Sequence, residues 1–504
     1  TPDYSSKTIT GKTVITYKEI NNRKALMQID LQEPLLIDSI VVNDKIKSNF
    51  KHEENVWHVQ VPKHTINSIN RICIYYHGKP REAIRPPWDG GWIFKKDSLG
   101  RPWMSVACQG LGASVWYPCK DHQSDEPDRG ASLTVIVPDS LIAVGNGRLK
   151  NKTSANGLST YTWEVKNPIN NYNIIPYIGK YVNWSDTLQG EKGTLDLNYW
   201  VLDYDLQKAQ KQFTDAKRML RAFEYWFGPY PFYEDGYKLV EAPHLGMEHQ
   251  GAIAYGNGFQ NGYKGTDLSG TGWGLKWDFI IVHESGHEWF ANNITSNDLA
   301  DMWIHESFTN YSETLFTEYY YGKEAGNEYN YGIRKKIENK NPVISKYGVN
   351  KESATTDKYY KGSNMIHLIR HSIDDDAKFR SILRGLNKTF YHQTVTTQQV
   401  ETYISKQSKI NFSKVFDQYL RNTQIPRLEY YYSPDKNYIS FRWANCIKNF
   451  NLRLIMHAEN VKLTIYPSEK WKTMKLTGID PIFFDSDYLV KNYYITTEQV
   501  TSKN

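Results

Sequence analysis

Cysteine is scarce in this chain: four residues among 504, with no two spaced as C-x-x-C. Such a count excludes a disulfide-built scaffold and a paired-thiolate metal site. Cys108 and Cys119 are near enough in sequence to bond, with free buried thiols the equal alternative. No apolar run approaches the roughly 18 residues of a membrane-spanning helix, so no transmembrane segment is expected. Long blocks of one charge sign are missing as well. The 61 basic and 55 acidic residues leave a net +6 spread along the chain, without the basic stripe that nucleic acid requires. Residues 257–275 are rich in glycine but lack G-x-x-x-x-G-K followed by Ser or Thr. That excludes a phosphate-cradling loop and leaves a mobile connector as the expectation. Neither internal repeats nor low-complexity tracts occur. The first residue is Thr1 rather than Met, as in a processed chain exported to the periplasm, cell envelope or exterior; a cytoplasmic setting is the alternative.

Aromatic residues, by contrast, make up 14% of the chain, with 37 tyrosines, and their commonest use is core and strand packing. The length allows about three domains. Residues 1–203 read as β: runs such as Thr13–Tyr17, Trp57–Val61, Ile72–Tyr76, Leu133–Val137 and Thr160–Trp163 are separated by turn formers, Asn156-Gly157 among them. Pro86–Trp92 reads as a loop. After Tyr204 the period changes, and Ala209, Phe213, Ala216, Leu220, Phe223 and Phe227 recur at helical spacing until Gly228-Pro229. Residues 204–425 are therefore expected to be mainly helical, apart from strands and turns over 237–256. Beyond Pro426, short alternating runs predict a small β-sandwich over 426–504.

The chemistry sits between Asp278 and Glu313. His283-Glu284-Ser285-Gly286-His287 is an H-E-x-x-H pattern, and Glu306 follows 19 residues later. Residues four apart on a helix lie one above the other, so His283 and His287 can face one metal ion. Phe279, Val282, Gly286 and Phe290 supply an apolar face for that helix. Zinc accepts imidazole nitrogen, and a catalytic site needs three protein ligands and an open position. Glu306 opens the next helical run and offers the third ligand. Glu284 is turned away from the metal ligands and can reach a metal-bound water. A chance H-E-x-x-H is the bland alternative, weakened by the plausible helix and the carboxylate downstream.

Three further stretches carry a family resemblance. Leu245-Gly246-Met247-Glu248-His249-Gln250 resembles the G-x-M-E-N segment of the aminopeptidase N family, which includes leukotriene hydrolase. Tyr359-Tyr360-Lys361-Gly362 is similar to its Y-x-K-G motif, and Trp303-Ile304-His305-Glu306-Ser307-Phe308 to its W-L-N-E-G-F. Gln109, ten residues before Cys119, resembles the family's Gln or Glu ahead of F-P-C. The resemblance implies a multidomain α+β chain: an N-terminal β saddle, a thermolysin-like catalytic domain and a C-terminal β-sandwich. Leu245, His249, Glu288 and His305 depart from the family's usual residues, which bears on the shape and charge of the cleft rather than on the metal.

The same resemblance implies one zinc per chain, held by His283, His287 and Glu306, with Glu284 as general base for a zinc-activated water. Tyr359 would donate to the oxyanion; a core tyrosine is the alternative. Glu248 would bind the free α-ammonium of a peptide, and Gln109 would add an acceptor unless it is merely structural. The backbone at Leu245, Gly246 and Met247 would take the peptide as an added strand. Asp301 and Glu313 are candidates to accept imidazole N–H groups, with capping or solvation equally open. The expected activity is a zinc aminopeptidase acting on peptides with a free N-terminus, as a monomer or alternatively a dimer. An endopeptidase has no use for Glu248 or Gln109 as amine anchors. An epoxide hydrolase needs a lipid pocket, and a pseudoenzyme would have lost ligands or base.

Overall fold

Alternating burial turns the first two hundred residues into antiparallel sheet. In Leu158–Val165, Ser159, Tyr161, Trp163 and Val165 point inward while their neighbours remain partly or wholly exposed. That strand pairs on one side with Ala131–Pro138 and on the other with Arg148–Ala155. Asn156 and Gly157 close the second hairpin with φ of 53° and 77°, the left-handed backbone that a tight two-residue turn requires. The computed structural model describes the chain except residues 22–25, 63–64, 459–460, 477–483 and 504. Among the described residues all four cysteines are free thiols, so the Cys108–Cys119 bond does not form.

The described chain divides into two compact units, Thr1–Phe213 with Phe232–Phe259, and Thr214–Pro231 with Gln260–Asn504. These are not the three segments read from sequence pattern, and the backbone ladder gives the reason. Tyr237–Glu241 runs parallel to Gly193–Leu202, and Ile253–Tyr255 parallel to Tyr237–Glu241, so these strands join the sheet of the first unit. Gly246–Met247 pairs with Ile253–Tyr255 and forms the edge of that five-stranded sheet. The helical run after Tyr204 is also interrupted. Leu206–Gln212 and Thr214–Phe227 are separate helices, and Phe213 between them packs its ring against Trp184, Tyr199 and Tyr255 of the first unit.

The second unit is mainly helical, built around fully buried Trp277, Trp289 and Trp303. Trp289 stands edge-on to Phe223 of Thr214–Phe227, and Trp277 edge-on to Phe316 of Trp303–Tyr321. Its C-terminal strands form a four-stranded sheet in the order Lys472–Lys475, Tyr438–Ala444, Arg427–Tyr432, Thr496–Gln499, with a separate hairpin of Leu454–Ala458 and Val461–Ile465. The glycine-rich stretch expected as a mobile connector is fastened instead. Asp267 accepts the N–H groups of Ser269 and Gly272 at 2.9 and 2.6 Å, and Gly262 donates to the Trp277 carbonyl at 2.7 Å.

Candidate metal centre and amine anchor

Asp278 starts the helix Phe279–Gly286, its side chain accepting the N–H groups of Ile280 and Ile281 at 3.0 and 3.2 Å. The helix is buried on nearly every side, so the single apolar face read from sequence was too narrow. It also ends sooner, at Gly286. His287 keeps helical backbone at φ −64° and ψ −17°, so the one-turn spacing of the two histidines survives. Gly286 is needed for packing. A Cβ there would stand 2.7 Å from Ser312 Oγ and 3.1 Å from Thr309 Cγ2, both on the helix Trp303–Tyr321.

That close packing brings Glu306, in the first turn of Trp303–Tyr321, to the histidines. One ligand atom from each of His283, His287 and Glu306 lies within 4.8 Å of the others. Glu306 Oε2 is 3.4 Å from His287 Nε2 and 3.8 Å from His283 Nε2. The carboxylate is 4% exposed, and among the described residues Oε2 has no hydrogen-bond donor. A buried ionised oxygen without a donor is costly, and a cation at this point would satisfy it.

The far side of each ring is occupied. His283 Nδ1 lies 2.7 Å from Glu313 Oε1, which also accepts from Asn310 at 2.9 Å; Glu313 Oε2 accepts from Tyr329 at 2.6 Å. His287 Nδ1 lies 3.0 Å from the Phe290 carbonyl and 3.1 Å from Thr309 Oγ1. With a metal in place, a proton on each Nδ1 would leave each Nε2 free to ligate, the tautomer a metal ligand needs. Burial opposes charge on these groups. Even so, Glu306 and Glu313 hold the His283 imidazole well above its ordinary pKa, and the two histidines hold the Glu306 carboxyl well below its own. Glu313, one of the two acidic candidates, is thus placed at an imidazole nitrogen. Asp301 is not: its carboxylate accepts from Tyr347 at 2.7 Å and from Thr397 Oγ1 at 2.6 Å, anchoring a helix start rather than an imidazole.

Glu284 sits half-buried beside His283, and its charge, after burial, raises the phenol pKa of Tyr263. Tyr263 belongs to the fastened glycine-rich loop, and no sequence motif marked it. Tyr359 lies in the first turn of Asp357–Ile373, its ring 6.0 Å from that of His283. Two helices therefore carry Glu306 and Tyr359, and Gly362 sets their approach. A Cβ at Gly362 would overlap Ser307 Cβ and Oγ, and Ser307 Oγ donates to the Lys358 carbonyl at 2.6 Å. Gly362→Ala is expected to lower the unfolding free energy by about 1–3 kcal/mol through overpacking. A thermal midpoint equal to that of the unaltered protein would remove this role.

In the first unit, Glu248 follows directly on the edge strand and is 3% exposed. Gln109 Nε2 and Tyr172 OH both donate to its Oε1, the latter at 3.1 Å. The Gln109 amide is thereby oriented with its nitrogen on Glu248 and its carbonyl as the remaining acceptor. Tyr172 has no motif and was not found from sequence. Leu245 is less available than expected, since its carbonyl already accepts from Gly256 at 2.7 Å. Gly246 and Met247 form the sheet edge.

The departures from the family pattern are absorbed by packing. His249 is fully buried with Nδ1 2.8 Å from Tyr177 OH, and burial holds its pKa well below the ordinary value. Glu288 accepts from Tyr230 at 2.6 Å and Asn292 at 3.0 Å. His305 Nε2 accepts the Ser296 N–H at 2.8 Å.

Residues 212–419 match the Peptidase family M1 domain along their length. This stretch is a Peptidase family M1 domain. The M1 domain spans both histidines, Glu306 and Tyr359. Beyond it, the chain is 20% identical over 430 residues to leukotriene A-4 hydrolase of Xenopus laevis, covering 80% of this chain and 66% of that protein. It is 22% identical over 450 residues to aminopeptidase N of Lactococcus lactis, covering 84% of this chain and 50% of that protein. The chain thus spans less than two thirds of either relative. In fold it resembles the M1 zinc metallopeptidase of Deinococcus radiodurans, in a crystal structure of a variant bound to a Tyr-Ser-Ala substrate. The TM-score is 0.68 at 21% identity, over 82% of this chain and 90% of that one. Zinc fits the residues present: two imidazole Nε2 atoms and one carboxylate oxygen, buried, convergent and backed by their own acceptors.

Proposed function

We propose that the chain is a zinc-dependent aminopeptidase that removes N-terminal residues from peptides. The observation that carries this is the approach of His283 and His287 Nε2 to Glu306 Oε2, a buried carboxylate oxygen without a donor among the described residues. Those three residues would hold one zinc per chain. When bound, zinc supplies Lewis acidity and lowers the pKa of water towards about 7.

The remaining steps belong to the chain's own groups. Glu284 accepts a proton from the attacking water and passes it to the leaving amine. The Tyr359 phenol donates a hydrogen bond to the oxygen of the scissile carbonyl as charge develops there. Glu248 receives the substrate's α-ammonium through charge-assisted hydrogen bonds, with the Gln109 carbonyl beside it. The edge strand Gly246–Met247 has backbone groups to pair with an extended peptide.

The direction of cleavage rests on Glu248. An endopeptidase gains nothing from a buried carboxylate held for an amine, and blocking the amine takes away the cation that this carboxylate would bind. Matched peptides with free and acetylated N-termini test this. The free peptide is expected to be cut with a kcat/KM at least tens of times higher, and Glu248→Ala to narrow the gap. Equal cleavage of both, or cuts inside the chain, would overturn the proposal.

A further inference from the structure

Glu248 is held by more than the glutamine that the sequence offered. Tyr172 lies in the short turn Asn171–Asn173, and its phenol O–H donates to Glu248 Oε1 at 3.1 Å. Gln109 donates to the same oxygen. The segments that carry the two donors are also tied to one another. Cys108, the residue before Gln109, directs its thiol at the Tyr172 carbonyl at 3.5 Å, and Asn170 Oδ1 accepts the Tyr172 N–H at 3.3 Å. Tyr117 OH, donating to the Asn171 carbonyl at 2.9 Å, fixes the same turn. Burial pushes the Cys108 thiol pKa well up, which keeps it a protonated donor. Tyr172 is only 4% exposed, so its hydroxyl is not spent on solvent.

A buried tyrosine that served only packing would need no charged partner, and phenylalanine would fill the space. Two donors on one carboxylate oxygen fix the plane of the carboxylate, so little orientation remains to be lost when an ammonium arrives. From this we infer that Tyr172 is the positioning residue for amine recognition: it holds the Glu248 carboxylate oriented, and so sets how strongly the protein prefers a free N-terminus. The inference rests on the aminopeptidase proposal and adds to it a residue that acts on binding through Glu248, without touching the reacting atoms.

Tyr172→Phe removes one oxygen and keeps the ring. Kinetics on the zinc-loaded full chain, with matched free and N-acetylated peptides, should show KM for the free peptide rising about tenfold or more. The kcat for that peptide should change by less than threefold or so, since the lost bond acts on ground-state amine binding. Inhibition by a free amino-acid amide should weaken in parallel, while inhibition by its N-acetyl counterpart should not move. Zinc content and thermal midpoint, measured on the same preparation, separate this from general damage, which would depress kcat for both peptides together.

Unchanged preference for the free peptide in a folded, zinc-loaded Tyr172→Phe protein would overturn the positioning role and leave the aminopeptidase proposal standing. If the unaltered protein itself shows no preference for the free peptide, the aminopeptidase proposal fails first. A fall in kcat with KM preserved would also overturn the role, by placing Tyr172 in the chemical step.

Discussion

Glu306→Ala is expected to lose most of its zinc while remaining folded. The carboxylate is the only anionic member of the three converging ligands, and Oε2 is the atom that both Nε2 nitrogens face. With it gone, two neutral imidazoles remain, too few for a catalytic zinc site. If zinc binding of about 10–16 kcal/mol is shared among its ligands, one ligand accounts for roughly 3–5 kcal/mol, a weakening of about 10²-fold to several-thousand-fold. Elemental analysis after dialysis should give near-stoichiometric zinc for the unaltered protein and little for the variant. Full zinc occupancy in Glu306→Ala would remove it from the ligand set.

Glu284→Gln separates base from ligand. The amide keeps the size of the side chain, so zinc content should stay near that of the unaltered protein. Glutamine cannot accept and return a proton at neutral pH, and turnover should fall by about 10²–10⁴-fold, the usual contribution of a positioned general base. The loss should appear in kcat, with KM changed far less. Near-normal turnover in the zinc-loaded variant would assign the base elsewhere.

What sequence revealed and what it hid follow from the range of the interactions. The i, i+4 spacing of His283 and His287 is a local property, and it survives a helix that stops at Gly286. The Asn156-Gly157 hairpin is local in the same way. The choice between Asp301 and Glu313 was not local. Both are acidic, and only packing decides that Glu313 meets His283 while Asp301 meets Thr397, 96 residues away. Tyr172 was illegible for the same reason: its partner is 76 residues distant and its surrounding turn has no motif. The glycines misled in two ways. Those of 257–275 suggested slack where Asp267 gathers N–H groups, and nothing in sequence said that Gly362 exists for Ser307.

The most direct test follows the products. A mixed-sequence peptide with a free N-terminus is incubated with metal-stripped protein and with the same protein after one equivalent of zinc is restored, and the masses are read over time. Stepwise loss of single residues from the N-terminus, only in the zinc-restored sample, is the predicted result. Internal fragments from the earliest time points, or equal hydrolysis without the metal, would contradict the account.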